Sequence, residues 1–283
     1  MAKLQPAVMT LNFETSATDN WIDISQSASI VNRRFYRQGL QWAVAGITVQ
    51  LDSTETTDGG IRVETLPHTW VCSNAWHKVF AGWLKQQNDA LSESGQKSIA
   101  AKFRDFKIFM DLEHVQDFVD AGGDLNATNL LPRTAVQEFS PGEWEPSQVV
   151  IPNALPDASG SDVEPEEFWL HMVGNAVTGT PYSRGMIAGY AYSRSVPQSP
   201  DPAVPSQTVG TGNWLRDMFD VGNDDTEILN NAENTNNELP YDQMNYPHGA
   251  DNGGDALELH SQHYITNRSL GNRIEIPGLM VPC

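Results

Sequence analysis

The sequence predicts an all-β fold, a sandwich or barrel with long loops and one or two inserted short helices, in a single domain over residues 1–283. Two observations predict it. Nine segments read as strands, most by apolar–polar alternation, and alternation at period two marks a strand with one buried face. The 17 prolines and 22 glycines are spread along the chain rather than gathered into one linker, which suits many short elements joined by shaped turns.

The first strand is MTLNFE, in which Met9, Leu11 and Phe13 alternate with polar partners. In WAVAGITVQL, residues Ala43, Ala45, Ile47, Val49 and Leu51 form one face, with Trp42 and Val44 on the other. IRVET repeats the pattern at Ile61, Val63 and Thr65, and Asp58-Gly59-Gly60 ahead of it reads as a hairpin turn. FKIFMDL (106–112), QVVI (148–151), EFWLHMVG (167–174), GMIAGYAYS (185–193), LELHSQHYI (257–265) and RIEIPGLMV (273–281) complete the nine.

Two helices interrupt the strands. Ser73 is placed to cap the first, and Trp76, Phe80, Trp83 and Gln87 share one of its faces, with an end near Leu91. The second, short and amphipathic, is expected from Trp214 to Phe219, with DDTEILNNAEN (224–234) adding a turn or two. Residues 152–165, 195–212 and 220–256 read as loops. Irregular stretches beyond ~15 residues in a compact domain usually serve a function or a partner.

Charge divides the chain. Residues 1–110 hold eleven cations against ten acids, and the remainder six against twenty-six, a net −20. An acidic surface repels nucleic acid over a Debye length, so any nucleic-acid contact belongs to the first third. Cys72 and Cys283 make no disulfide framework. MAKLQPAVMTLNF lacks the apolar core of a signal peptide, and no stretch approaches the ~18 apolar residues of a membrane span. The sequons at Asn126 and Asn267 are then expected to be fortuitous.

Residues 31–83 carry the densest aromatic and basic signal. Trp42, Trp70, Trp76 and Trp83 lie there, half of the tryptophans, together with Arg33, Arg34 and Arg37. No catalytic motif accompanies them: the chain has no Gly-x-Ser-x-Gly, no phosphate loop ahead of a helix and no Cys/His nucleophile pair. Several segments resemble, in order, those of capsid proteins from small circular single-stranded DNA viruses that encode their own replication initiator. They are ASIVNRRFYRQG, LPHTWV with NAWHKVFAGW, KFRDFKIFMDLEHV, GEWEPSQVVIP, GYAYSRSVPQSPDPAVP, ELPYDQMNYPHGAD and IPGLMVPC. The resemblance implies a jelly-roll β-sandwich, a homo-oligomeric icosahedral shell around viral single-stranded DNA, no enzyme activity and a place in the virion. One departure from the family is the N-terminus, where only Lys3 precedes Arg33 and no basic arm is present to neutralise phosphate.

Arg33, Arg34, Tyr36 and Arg37, with Phe35, are therefore the candidate nucleic-acid contacts, the guanidinium groups for phosphate and the rings for stacked bases. The competing reading is a loop anchored by salt bridges. Lys78 and Lys85 share a helix face and are weighed in the same way. Trp76, Phe80 and Trp83 are candidates for an interface shared with the core. His260 and His263 stand three apart, too close for one strand face, and lack a third ligand. His248 with Asp251 and Asp255, and the acids of DVGNDD (220–225), leave room for calcium, as an interface ion between subunits; no other cofactor is expected. Glu143 and Glu145 would be the pair of a glycan-active enzyme, and surface aromatics would serve a lectin-like carbohydrate-binding module, the strongest rival to the capsid reading.

Overall fold

The computed structural model describes residues 7–16, 19–51, 59–95, 105–123, 128–151, 166–174, 183–195, 257–265 and 273–282. In chain order they form α1 (Ile24–Asn32), β1 (Gln41–Gln50), β2 (Gly59–Thr65), α2 (Trp70–Glu93), α3 (Leu112–Asp120), β3 (Gln148–Ile151), β4 (Glu166–His171), β5 (Ser183–Gly185), α4 (Met186–Ser195), β6 (Glu258–Ile265) and β7 (Arg273–Pro282). The strands make three small sheets: β1 with β7, β2 with β6, and β3–β4–β5. This overturns the all-β jelly-roll expectation. A jelly roll packs one four-stranded sheet on another. Here no sheet among the described residues exceeds three strands, and helices supply much of the core. The fold mixes helix and strand.

Three of the nine expected strands account for the difference. GMIAGYAYS becomes α4, in which Met186, Ile187 and Ala188 are all buried. A short apolar run has no period that separates helix from buried strand. FKIFMDL forms no strand: it makes one isolated parallel bridge, Phe109 to His171, before Asp111 caps α3 by accepting from His114 N (2.9 Å). MTLNFE has no regular structure and joins no sheet among the described residues. It is held by Asn32, whose amide pairs with both backbone groups of Val8, and by Arg133 N donating to Asn12 O (2.8 Å).

The main core lies between α2, α4 and the β3–β4–β5 sheet. Helix α2 starts at Thr69 rather than Ser73, because the Thr69 hydroxyl accepts from Cys72 N. Its inner face buries Val71, Cys72, Ala75, Val79 and Trp83 against Phe168, Leu170, Met172, Met186 and Ile187. Trp76 stacks on Phe80 (centroids 4.9 Å, 17°), and Phe80 on Trp83 (6.2 Å, 26°), with Phe106 filling the angle between the rings. A smaller cluster joins Phe109, Val115, Phe118 and Trp144 beneath α3.

The other strands form two long antiparallel ribbons. The hairpin expected through Gly59-Gly60 does not form, because β1 pairs with β7 and β2 with β6. Cross-strand chemistry explains the choice. Trp42 meets Val281, Val44 meets Leu279, Ile47 meets Ile276 and Val49 meets Ile274. The apolar face changes sides midway: Trp42 and Val44 are the half-buried residues of one half of β1, Ile47 and Val49 of the other, with Gly46 between. The change coincides with Gly278, where a Cβ would strike the backbone oxygens of Val44 and Ala45. In this ribbon only Ile276 is buried.

Candidate functional site

The basic loop begins at a defined helix end. Asp23 caps α1 by accepting from Gln26 N (3.0 Å), and Arg33 closes the helix in the left-handed conformation (φ 50°). The N–H groups of Arg33 and Arg34 return to Ile30 O and Ser29 O. Two serines of α1 then hold the loop backbone. Ser29 Oγ accepts from Tyr36 N (2.9 Å), and Ser25 Oγ donates to Arg37 O (3.1 Å).

The loop is also clamped at its far end. Gln38 pairs its amide with the backbone of Ile108, accepting from Ile108 N (2.7 Å) and donating to Ile108 O (3.3 Å). The same amide donates to Asp23 Oδ2 (2.7 Å), which also accepts from Trp144 Nε1 (3.2 Å). Burial raises the Asp23 carboxyl above its ordinary range, and these hydrogen bonds oppose the shift. Gly39, at φ 87°, lies against the Trp76 ring, where no side chain fits. A rigid scaffold thus presents a short segment.

The arginines themselves face outward. Arg33, Arg34 and Arg37 are exposed, and Arg37 lies 5.9 Å from the centroid of Phe35, itself 37% exposed. Ion pairs among the described residues are Arg62–Glu64, Lys107–Asp105, Arg133–Glu14 and Arg273–Glu275, so none anchors this loop. Their position beyond the C-terminus of α1 suits positive charge. Tyr36 turns inward, half-buried and edge-on to Trp42 (5.4 Å, 66°), so Phe35 is the outward ring of the loop.

Other candidate residues scatter. Lys78 donates to Ser193 Oγ (2.7 Å) and lies over the Tyr190 ring, whereas Lys85 is exposed. Lys107 is buried, 4.5 Å from the Trp144 ring centroid and 2.5 Å from Asp105 Oδ2. Trp76, Phe80 and Trp83 pack within the chain around Phe106. Glu143 and Glu145 stand exposed on either side of buried Trp144. The second expected helix, His248, Asp251, Asp255, the 220–225 acids and both sequon asparagines lie outside the described residues. Among the described residues, no group of three or more His, Cys, Asp or Glu is arranged to hold a metal, and no helix is long and apolar enough to cross a membrane.

A buried polar seam behind the loop escaped the sequence reading. Met110 N donates to His114 Nδ1 (3.3 Å), so His114 carries its proton on Nε2 and donates to Asn129 Oδ1 (2.8 Å). Asn129 Nδ2 donates in turn to Gln26 Oε1 (3.0 Å). Trp21 stacks on the His114 ring (4.9 Å, 11°) and donates to Asp117 Oδ2 (2.9 Å). Burial lowers the His114 pKa to about 4. The available signal was local: Asp23 and Asp111 each stand one residue before a helix, and Gln26 completes a capping-box spacing with Asp23. Comparison with protein-family models, with curated proteins and with solved structures finds no match to this chain.

Proposed function

We propose that the chain is a coat subunit, a non-catalytic structural protein of the virion that assembles with copies of itself into an icosahedral shell around a small circular single-stranded DNA. The single observation that carries self-assembly is the pair of open ribbons. Each has two strands and therefore two unpaired edges among the described residues, and most of its side chains are exposed or half-buried. Two-stranded ribbons are marginal alone, and bare edges are templates for another chain. The genome contact is supported by the exposed arginine loop, and the class of virus by the ordered resemblance of segments. The reading does not depend on a jelly roll. Against the lectin-like alternative, no described tryptophan is exposed to form a sugar platform.

The test is size-exclusion chromatography with light scattering, followed by negative-stain microscopy of the purified chain. Uniform closed particles are expected, with nuclease-protected DNA inside. A monomer at all concentrations that binds immobilised glycans would refute the assignment.

A further inference from the structure

The parity of β6 is broken at one residue. Ser261 pairs with Val63 and Leu259 with Glu64, leaving His260 as an extra residue between them. Such a bulge turns two neighbouring side chains toward the same side. Exposure follows that geometry: His260, Ser261 and His263 are half-buried, whereas Leu259, Gln262 and Tyr264 are exposed. Residues three apart, which a regular strand would place on opposite faces, therefore share one.

Three polar atoms on that face have no partner among the described residues. His260 Nε2, Ser261 Oγ and His263 Nε2 are all buried and lack a hydrogen-bond partner. The residues opposite are no help, since Ile61 pairs with His263 and Val63 with Ser261. Buried polar atoms without partners are costly, and each calls for a water, an ion or a function. The contrast with His114 is direct, because both of its ring nitrogens are engaged.

We infer that His260 and His263, with Ser261 between them, bind a divalent transition-metal cation of the kind that takes imidazole nitrogen, such as nickel, copper or zinc. Each imidazole can ligate a metal through Nε2, Ser261 Oγ offers a third donor, and solvent completes the shell. Hard cations that prefer carboxylate oxygen have no reason to choose this face.

The experiment titrates the purified chain with nickel(II) by calorimetry, alongside H260A, H263A and the control Q262A, each checked for native circular dichroism. One equivalent is expected to bind, with affinity lower by at least about tenfold in each histidine variant and unchanged in Q262A. Copper(II) bound to the unmutated protein gives a second readout that needs no variant to fold. Its paramagnetic resonance spectrum is expected to show two nitrogen donors. Absence of saturable binding, binding retained in both histidine variants, or a copper spectrum with fewer than two nitrogens would overturn the site and leave water as the occupant of the face.

Discussion

Asp111 and His114, within one turn of each other, respond to acid in opposite directions. The Asp111 carboxyl is pushed up to about 6, chiefly by burial and secondarily by Glu113, Asp117 and Glu64, against the hydrogen bond from His114 N. A folded pKa above the unfolded one favours the native state below pH ~4, and that advantage is lost as pH rises through about 6. His114 is lowered to about 4, so its neutral form favours the native state above pH ~6.5, and stability drains as pH falls toward 4. Between pH 4 and 6 the two slopes oppose each other. D111N keeps a capping side chain but removes the carboxylate. It is expected to stabilise the protein by about 1–2 kcal/mol at pH 8, with no gain below pH 4. Urea midpoints across that range should also fall more steeply with acid in D111N than in the parent. Gly39 supplies a second residue-scale expectation. G39A combines a left-handed φ with a collision against Trp76, and should cost about 2–4 kcal/mol in urea unfolding.

At the level of elements, the basic loop is a scaffolded segment with no salt bridge to a described residue. Replacing Arg33, Arg34 and Arg37 together by glutamine is expected to leave thermal unfolding nearly unchanged, because none of them is ion-paired among the described residues. Binding to an oligodeoxythymidine strand should weaken, and the slope of log affinity against log salt should flatten by roughly 2, the share of three phosphate contacts. An unchanged slope would remove the loop from the genome-facing role. How this loop was legible is instructive. Arg33, Arg34 and Arg37 could be found from composition alone, but the inward turn of Tyr36 depends on Trp42 and Ser29. Six of nine strands were readable because alternation or length constrains them. The α4 run and the residues 106–110 were not, since an apolar stretch records burial without saying which backbone achieves it. Capping carboxylates at Asp23 and Asp111 held the information that α1 and α3 exist. The histidines of β6 were misplaced for a different reason: a bulge depends on the partner strand and leaves no local mark.

For the whole molecule, the proposed assembly would use the side of the β1–β7 ribbon that is unpaired among the described residues. Strand β1 carries no charged residue over its ten positions in a chain of net charge −19, so two copies meet least repulsion there. Pro277 and Pro282, by contrast, withhold N–H groups along β7. A43K sets a charge at an exposed position of β1, where edge strands usually keep one to prevent association. It is expected to abolish particles in light scattering while the soluble chain keeps its circular dichroism, whereas A81K, on the exposed side of α2, should leave particle size unaltered. Loss of particles in both would indicate general damage instead of a specific edge.

The ribbons also set a clock. β1 finds its partner more than two hundred positions downstream, and the β2–β6 pairing nests inside that span. On a ribosome adding roughly 5–20 residues per second, β1 waits about ten seconds or more before β7 exists. Closing β2 on β6 first brings the outer strands near each other and leaves a far shorter segment to close. Translation therefore delivers an aggregation-prone, uncharged strand early and its cover last, and the inner pairing acts as the latch that shortens the final search.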